Sequence, residues 1–191
     1  FNTLRVHCKI ETERFYYHCD KLGMLVWQDM INGGGKYCAP LVTYLPTILS
    51  RLNISHSDNF YEITARQNPK GRKEWMHECK ETIKTLYNHP SVVLWVAFNE
   101  GWGQFETERV TEYIRQLDPT RLIDSASGWF DVGCGDFVSE HNYFRKLKVE
   151  KDERPFVISE YGGYVLSTKG HTYDEKVYGY PGTAGFVPYI Y

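Results

Sequence analysis

No stretch of this 191-residue chain holds the roughly 18 uninterrupted apolar residues that a membrane-crossing helix needs. A basic excess is missing as well. With 22 Lys+Arg against 24 Asp+Glu, the net charge of −2 excludes the electrostatic footprint of a nucleic-acid binder. The five cysteines, at 8, 19, 38, 79 and 134, form no CxxC pair. Neither a disulfide framework nor a cysteine-based zinc site is therefore expected, and free thiols fit a reducing, cytoplasmic compartment. An initiating Met is absent too. The chain opens on Phe1 in a strand-like run, which reads as a piece of a longer protein, so localisation is left unknown beyond the thiol argument.

What the chain has in quantity is apolar and aromatic surface. Hydrophobic residues make up 42% and charged residues 24%, a balance that supports one folded domain with its own core. The aromatic fraction is 16%, with 15 Tyr, 10 Phe and 5 Trp. Such an excess suits stacking on the flat faces of sugars, or a Tyr-rich core, and composition by itself favours the core.

Patterning predicts strands at Asn2–Cys8, Met24–Trp27, Ser91–Phe98, Arg121–Asp124, Phe137–Ser139 and Pro155–Ser159. Helical spacing falls at Glu11–Leu22, Arg72–Tyr87 and Glu106–Leu117, with a further helix near Leu41–Ser50. Apolar strands alternating with amphipathic helices imply a parallel sheet. A doubly wound nucleotide fold would need a GxGxxG turn between strand and helix, and Gly33-Gly34-Gly35 lacks that spacing. Polar residues instead gather just past the strand C-termini: His7, Asp29, Asn99-Glu100, Asp124, His141 and Glu160. That is the habit of a (β/α)8 barrel. The expected fold is thus α/β, a (β/α)8 TIM barrel truncated to about six of its eight strands, as one partial domain over residues 1–191. Its open edges, beside Asn2–Cys8 and Pro155–Ser159, would invite a homo-oligomer.

Two carboxylates carry the chemistry. Glu100 ends the buried run VVLWVAF behind Asn99, and Glu160 ends RPFVIS ahead of Tyr161-Gly162-Gly163. Each is a charge at the mouth of a strand whose body has no water; either one alone reads as a loop cap or an arginine's partner, but two such carboxyls in unlike environments divide into acid and base.

These segments resemble a known family. WVAFNEGWGQF is similar to the acid/base segment of glycoside hydrolase family 2, and RPFVISEYGGY to its nucleophile segment. NTLRVHCKIETERFYYHCDKLGMLVWQDM resembles its second and third barrel strands, and LYNHPSVVLW its approach to the fourth. The resemblance implies a retaining β-glycosidase with Glu100 as acid/base and Glu160 as nucleophile. It also implies β-sandwich domains ahead of the barrel in the full-length family, and none is read here. Asn99 would donate to the sugar 2-hydroxyl. Tyr143 in SEHNYF resembles the tyrosine that hydrogen-bonds the nucleophile and keeps it ionised. His7 and His141 are placed as contacts for sugar hydroxyls, or else as structural histidines. Asp29 either binds a hydroxyl at the nonreducing end or pairs with Arg5. Trp102 and Trp129 are candidate stacking platforms, against a plain core role. The sequon Asn53-Ile54-Ser55 reads as incidental.

No acidic metal cluster is read, so cofactor-free hydrolysis is expected, with a carbohydrate as the partner and neither nucleic acid nor membrane. β-Galactosides are the first substrate class implied. VWQDM before a glycine-rich loop, and SASGW, echo the mannosidase side of the family; β-mannosides or β-glucuronides are the alternatives. A carbohydrate-binding but inactive fragment is the reading from another class.

Overall fold

The computed structural model describes residues 1–49, 58, 60–143, 147, 149, 151–165, 170, 180 and 181. Strand β1 (Thr3–Val6) buries Val6, and the alternation of a strand turns Arg5 to the opposite face. Helix α1 (Glu13–Leu22) stops at Gly23, whose φ of 67° is left-handed and whose N–H bonds back to the Asp20 carbonyl. That is the turn a helix needs before reversing into a strand. Strand β2 (Leu25–Asp29) follows. A wide helical turn, Pro40–Tyr44, then runs into the short α2 (Leu45–Leu49). Asn68 caps α3 (Pro69–Leu86) by accepting from the Lys70 N–H, with Pro69 in the first turn where its missing donor costs nothing.

The remaining elements are β3 (Val92–Val96), α4 (Thr107–Leu117), β4 (Leu122–Asp124), β5 (Val138–Asn142) and β6 (Phe156–Tyr161). A two-residue pair, β7 (Tyr164–Val165) with β8 (Tyr180–Pro181), completes the described strands. All pairings are parallel. The first four strands form one sheet in chain order, and β5 and β6 form a second ladder.

The six long strands fall where the sequence places them, but with shifted ends: β1, β3 and β4 are shorter than expected, while β2, β5 and β6 run two or three residues further and take Asp29, His141 and Glu160 into the strands themselves. The ladder, however, breaks between β4 and β5. The reason is local. Asp136, just ahead of β5, takes the partners a neighbouring strand would use, donating its N–H to the Ile123 carbonyl and accepting the Ile123 N–H on its carboxylate. Side chains then join the two ladders, Ser139 Oγ donating to Asp124 Oδ2 at 2.7 Å. The helix expected near Leu41–Ser50 is the wide turn plus α2. Ser50, the sequon at 53–55 and most of the tail after Gly170 lie outside the described residues.

The core lies between the four-stranded sheet and α1, α3 and α4. Tyr16, Trp75, Ile83, Leu86, Trp95, Phe98, Phe105, Ile114 and Ile123 are its large members, each 2% exposed or less. Burial of a side chain of this size stabilises the fold by roughly 1.5–3 kcal/mol. Trp95 also donates its indole N–H to Asp118 just past α4, which ties that helix to the sheet. The apolar packing is spent on the helical side. The C-terminal ends of the strands are left to polar groups.

Candidate active site

Glu100 and Glu160 reach one site by different local devices. After β3 the chain continues through Phe98 and Asn99, which bridges to Ser127, and the Glu100 N–H donates to the Ser127 carbonyl at 2.9 Å. Glu100 then adopts φ 52°, a left-handed conformation uncommon for a residue with a side chain. Cys8, after β1, does the same at φ 53°. Such backbone strain gathers where the surrounding structure must hold a functional group in place. Glu160 lies within β6, where the register slips between Glu140 and His141, so that His141 stands opposite Glu160. Irregularities of this kind re-aim side chains beside active sites.

Tyr143 joins the two carboxylates. Its phenolic oxygen lies 2.8 Å from Glu100 Oε1 and 2.7 Å from Glu160 Oε2. A phenol has one proton to give, so it donates to one carboxylate at a time, and the second contact is satisfied when that carboxyl is itself protonated. Burial and the two flanking carboxylates push the Tyr143 pKa well above that of an ordinary phenol.

Arg5 fixes the other side. Its guanidinium donates from Nε and Nη2 to both Asp29 oxygens at 2.9 Å, from Nη1 to Glu160 Oε1 at 2.7 Å, and from Nη2 to Asn99 Oδ1 at 2.7 Å. Burial acts to lower the Arg5 pKa, but Asp29 and Glu160 outweigh it and the net shift is upward. Asp29 is likewise pushed up by burial and carried lower overall by His7 and Arg5.

Below Glu100 lies His141, with no exposed surface and its Nδ1 2.9 Å from Glu100 Oε1. Burial raises the Glu100 carboxyl, yet the contacts with His141 and Tyr143 prevail and carry its pKa below the ordinary range.

The expected site residues therefore converge in unequal ways. Glu100, Glu160, Asn99, Asp29, His141 and Tyr143 form one connected hydrogen-bonded group. His7 is half-exposed at its rim, with Nδ1 3.4 Å from Asp29 and 3.7 Å from Glu160, and its pKa is raised chiefly by the Asp29 contact. His141 is covered, so it reaches the site through Glu100 instead of presenting an edge to a sugar. Trp129 is buried too, donating to the Val42 and Glu100 carbonyls with its edge against His141. Trp102 stacks on Tyr37 and lines a cavity of about 310 Å³ shared with Cys8, Asn32, Gly33, Tyr37 and Gly103. A volume of that order suits a small ligand.

Two groups of three metal-capable side chains come together among the described residues, His7 with Cys8 and Asp29, and Glu100 with His141 and Glu160, the donor atoms of each within 4.8 Å. Their carboxylates are already engaged by Arg5, His141 and Tyr143, and we assign a cation to neither.

Sequence reasoning gave Arg5 no role beyond pairing with Asp29. The available signal was a charged residue in the middle of the otherwise apolar-alternating NTLRVHC. It also passed over Ser127, Ser139 and Ser159, whose hydroxyls connect Asp124 to His141.

The sequence matches the family model described as "Glycosyl hydrolases family 2, TIM barrel domain" over residues 1–182. A beta-mannosidase B of Thermothelomyces thermophilus is 32% identical over 101 residues, which cover 53% of this chain and 8% of that protein. A beta-galactosidase of Priestia megaterium is 23% identical over 163 residues, covering 78% of this chain and 15% of that protein. Among solved structures, a beta-galacturonidase of Eisenbergiella tayi bound to galacturonate aligns with a TM-score of 0.59 at 21% identity, over 90% of this chain and 32% of that one. At that identity the likeness bears on the fold alone. The chain spans 15% or less of these two curated relatives.

Proposed function

Since the chain belongs to glycosyl hydrolases family 2, as its TIM barrel domain, we propose that it carries the catalytic centre of a retaining β-glycosidase, with Glu160 as nucleophile and Glu100 as acid/base. The observation that carries this reading is the single phenol of Tyr143 between both carboxylates. Their oxygens approach within 4.8 Å, which suits the roughly 5–5.5 Å separation of retaining carboxyl pairs and not the wider inverting spacing.

In the first step the Glu160 carboxylate attacks the anomeric carbon. The glycosidic bond breaks as Glu100 gives its proton to the departing oxygen. Arg5 and Tyr143 donate to the two oxygens of Glu160 and set the angle of attack. In the second step Glu100 takes a proton from water, whose oxygen displaces Glu160 from the anomeric carbon and returns it as a carboxylate. Because Arg5 holds Asn99 Oδ1, the Asn99 amide N–H is left to meet the sugar 2-hydroxyl. Trp102, at the wall of the cavity, offers an apolar surface to the sugar or its leaving group.

For the sugar, β-galactosides are supported by the beta-galactosidase relative, and β-mannosides by the higher identity of the beta-mannosidase relative. Nitrophenyl β-galactoside, β-mannoside and β-glucuronide, offered to the protein that carries this chain, separate these classes. Proton NMR of the first sugar released is expected to show the β-anomer. An α-anomer appearing first, or no turnover of any of the three, would contradict the proposal.

A further inference from the structure

Beneath the two carboxylates runs a line of buried hydroxyls that the two-step mechanism does not use. Asp124, at the end of β4, is 1% exposed. Its Oδ2 lies 2.7 Å from Ser139 Oγ, which lies 2.6 Å from Ser159 Oγ. Ser159 Oγ is 2.9 Å from Ser127 Oγ, and that oxygen is 3.0 Å from His141 Nε2. The other imidazole nitrogen, Nδ1, is 2.9 Å from Glu100 Oε1. Every link is of hydrogen-bond length, and each hydroxyl can both donate and accept.

Resting on the assignment of Glu100 as acid/base, the geometry points to Asp124 as a positioning residue at the far end of a buried proton wire, Ser139–Ser159–Ser127–His141, that supplies Glu100 with the proton it donates. The single-file order gives the line two polarities. With Asp124 ionised, every hydroxyl points toward it, His141 carries its proton on Nε2, and Nδ1 accepts from a protonated Glu100. With Asp124 protonated, the line reverses, and His141 donates from Nδ1 to an ionised Glu100.

The two states hold the same number of protons. Passing from the second to the first, the Asp124 proton goes to Ser139 as Ser139 gives its own to Ser159. Ser159 passes its proton to Ser127, and Ser127 gives its own to Nε2 as Nδ1 releases its proton to Glu100. No co-reactant is needed.

The charges around the line favour storage at its far end. The Ser139 hydroxyl from β5 and Arg5 from β1 act to keep Asp124 ionised, as does His141 from β5 whenever it is cationic, while Asp29 from β2 opposes them. Burial dominates and raises the Asp124 pKa to about 6. Glu100, by contrast, is held below the ordinary carboxylate range. A carboxyl so placed is seldom protonated near neutral pH, which limits it as a general acid, and a second buried carboxyl joined to it by hydroxyls answers that shortage.

The test is the pH dependence of kcat/KM for Ser139→Ala, Asp124→Asn and Ser139→Thr in the protein that carries this chain. Each is assayed with an alkyl glycoside, whose departure needs a proton, and with a dinitrophenyl glycoside, whose departure does not. Both wire-cutting variants are expected to move the alkaline limb of the alkyl-glycoside profile to lower pH. They should lose about tenfold more rate on that substrate than on the dinitrophenyl one, part of the 10²–10⁴ that acid catalysis supplies. Ser139→Thr, which keeps the hydroxyl, is expected to restore the limb. Limbs unmoved in both Ser139→Ala and Asp124→Asn, or equal losses on the two substrates, would overturn the wire. Glu100→Ala, run alongside, separates the two failures. If it slows both glycosides equally, the acid/base reading is what fails. If it spares only the dinitrophenyl glycoside while the wire variants behave as wild type, the wire alone is rejected.

Discussion

Gly128 lies against the ring of His141 so closely that a β-carbon there would stand 2.8 Å from Nδ1 and 2.9 Å from Cγ. Its φ of 102° is also one that side-chain-bearing residues rarely adopt. Gly128→Ala therefore has to displace the imidazole that touches Glu100. We expect kcat to fall by about 10²-fold, the scale of a misplacement near 1 Å. A stability loss of roughly 1–3 kcal/mol should accompany it. Steady-state kinetics beside thermal melting check this; an unchanged kcat would mean that the ring has room to move.

Arg5 serves Asp29, Glu160 and Asn99 with one planar group. Lysine keeps the charge and loses the fork, so Arg5→Lys is expected to lower kcat/KM by about 10²-fold. Arg5→Ala strips the buried Asp29 of its guanidinium and leaves it only His7 at the rim and the Cys8 N–H, a loss of up to about 3–5 kcal/mol. Denaturant melts of the two variants should rank Ala well below Lys. Equal stability would show that Asp29 finds another partner.

Tyr143→Phe removes the one donor that both carboxylates share. A hydrogen bond to a charged group contributes about 1.5–3 kcal/mol, so the rate is expected to fall by about ten- to a hundredfold. Loss of the phenol should leave the melting temperature nearly unchanged, since an apolar ring of the same shape stays in place. A large drop in melting temperature with no change in rate would contradict its catalytic placement.

Asp118 supplies a pH signature unrelated to catalysis. It is fully covered, accepts from Trp95 and Arg121, and bonds the Thr120 N–H and hydroxyl. Burial acts to raise its carboxyl, but these bonds lower it from 3.8 to about 2. Because the folded-state pKa is the lower one, the ionised form stabilises the fold above pH 4. That stability, about 2 kcal/mol, is lost as the pH falls from 4 toward 2. Melting curves of wild type and Asp118→Asn should therefore differ at pH 6 and converge near pH 2. A constant difference across that range would point to packing instead of charge.

Much of this was legible in the residues. VVLWVAF has to be buried, and a charge at its end has nowhere to go but the mouth of the sheet, so Glu100 announces itself; Glu160 does so less by burial, since β6 is only partly covered, than by ending the apolar FVIS. The six strands and three principal helices follow from periodicity. Three-dimensional pairing left a fainter trace. The gap between β4 and β5 depends on Asp136 substituting for a strand, which no hydrophobic pattern encodes. The placement of His141 under Glu100 depends on a register slip, and shifting the register by one residue changes which side chains meet. Serines at 127, 139 and 159 are unremarkable one by one; only the parallel pairing of β5 with β6, and the bridge that holds Ser127 beside Asn99, set them in line. Trp129 and Trp102 show the same limit in reverse, since an indole in sequence does not say where it will lie: Trp129 is buried with its N–H held by the Val42 and Glu100 carbonyls, whereas Trp102 stacks on Tyr37 and still lines the cavity.

The assignment of the two glutamates is tested most directly by azide rescue of Glu160→Ala and Glu100→Ala, with the anomeric configuration of each glycosyl azide read by proton NMR. With the nucleophile removed, a small anion can attack from the vacated face. Glu160→Ala is therefore expected to regain turnover on an activated aryl glycoside and to give the inverted α-azide. Glu100→Ala keeps its nucleophile, so azide should intercept the glycosyl-enzyme and give the retained β-azide. An inverted product from Glu100→Ala, with no rescue of Glu160→Ala, would show that the two roles are reversed.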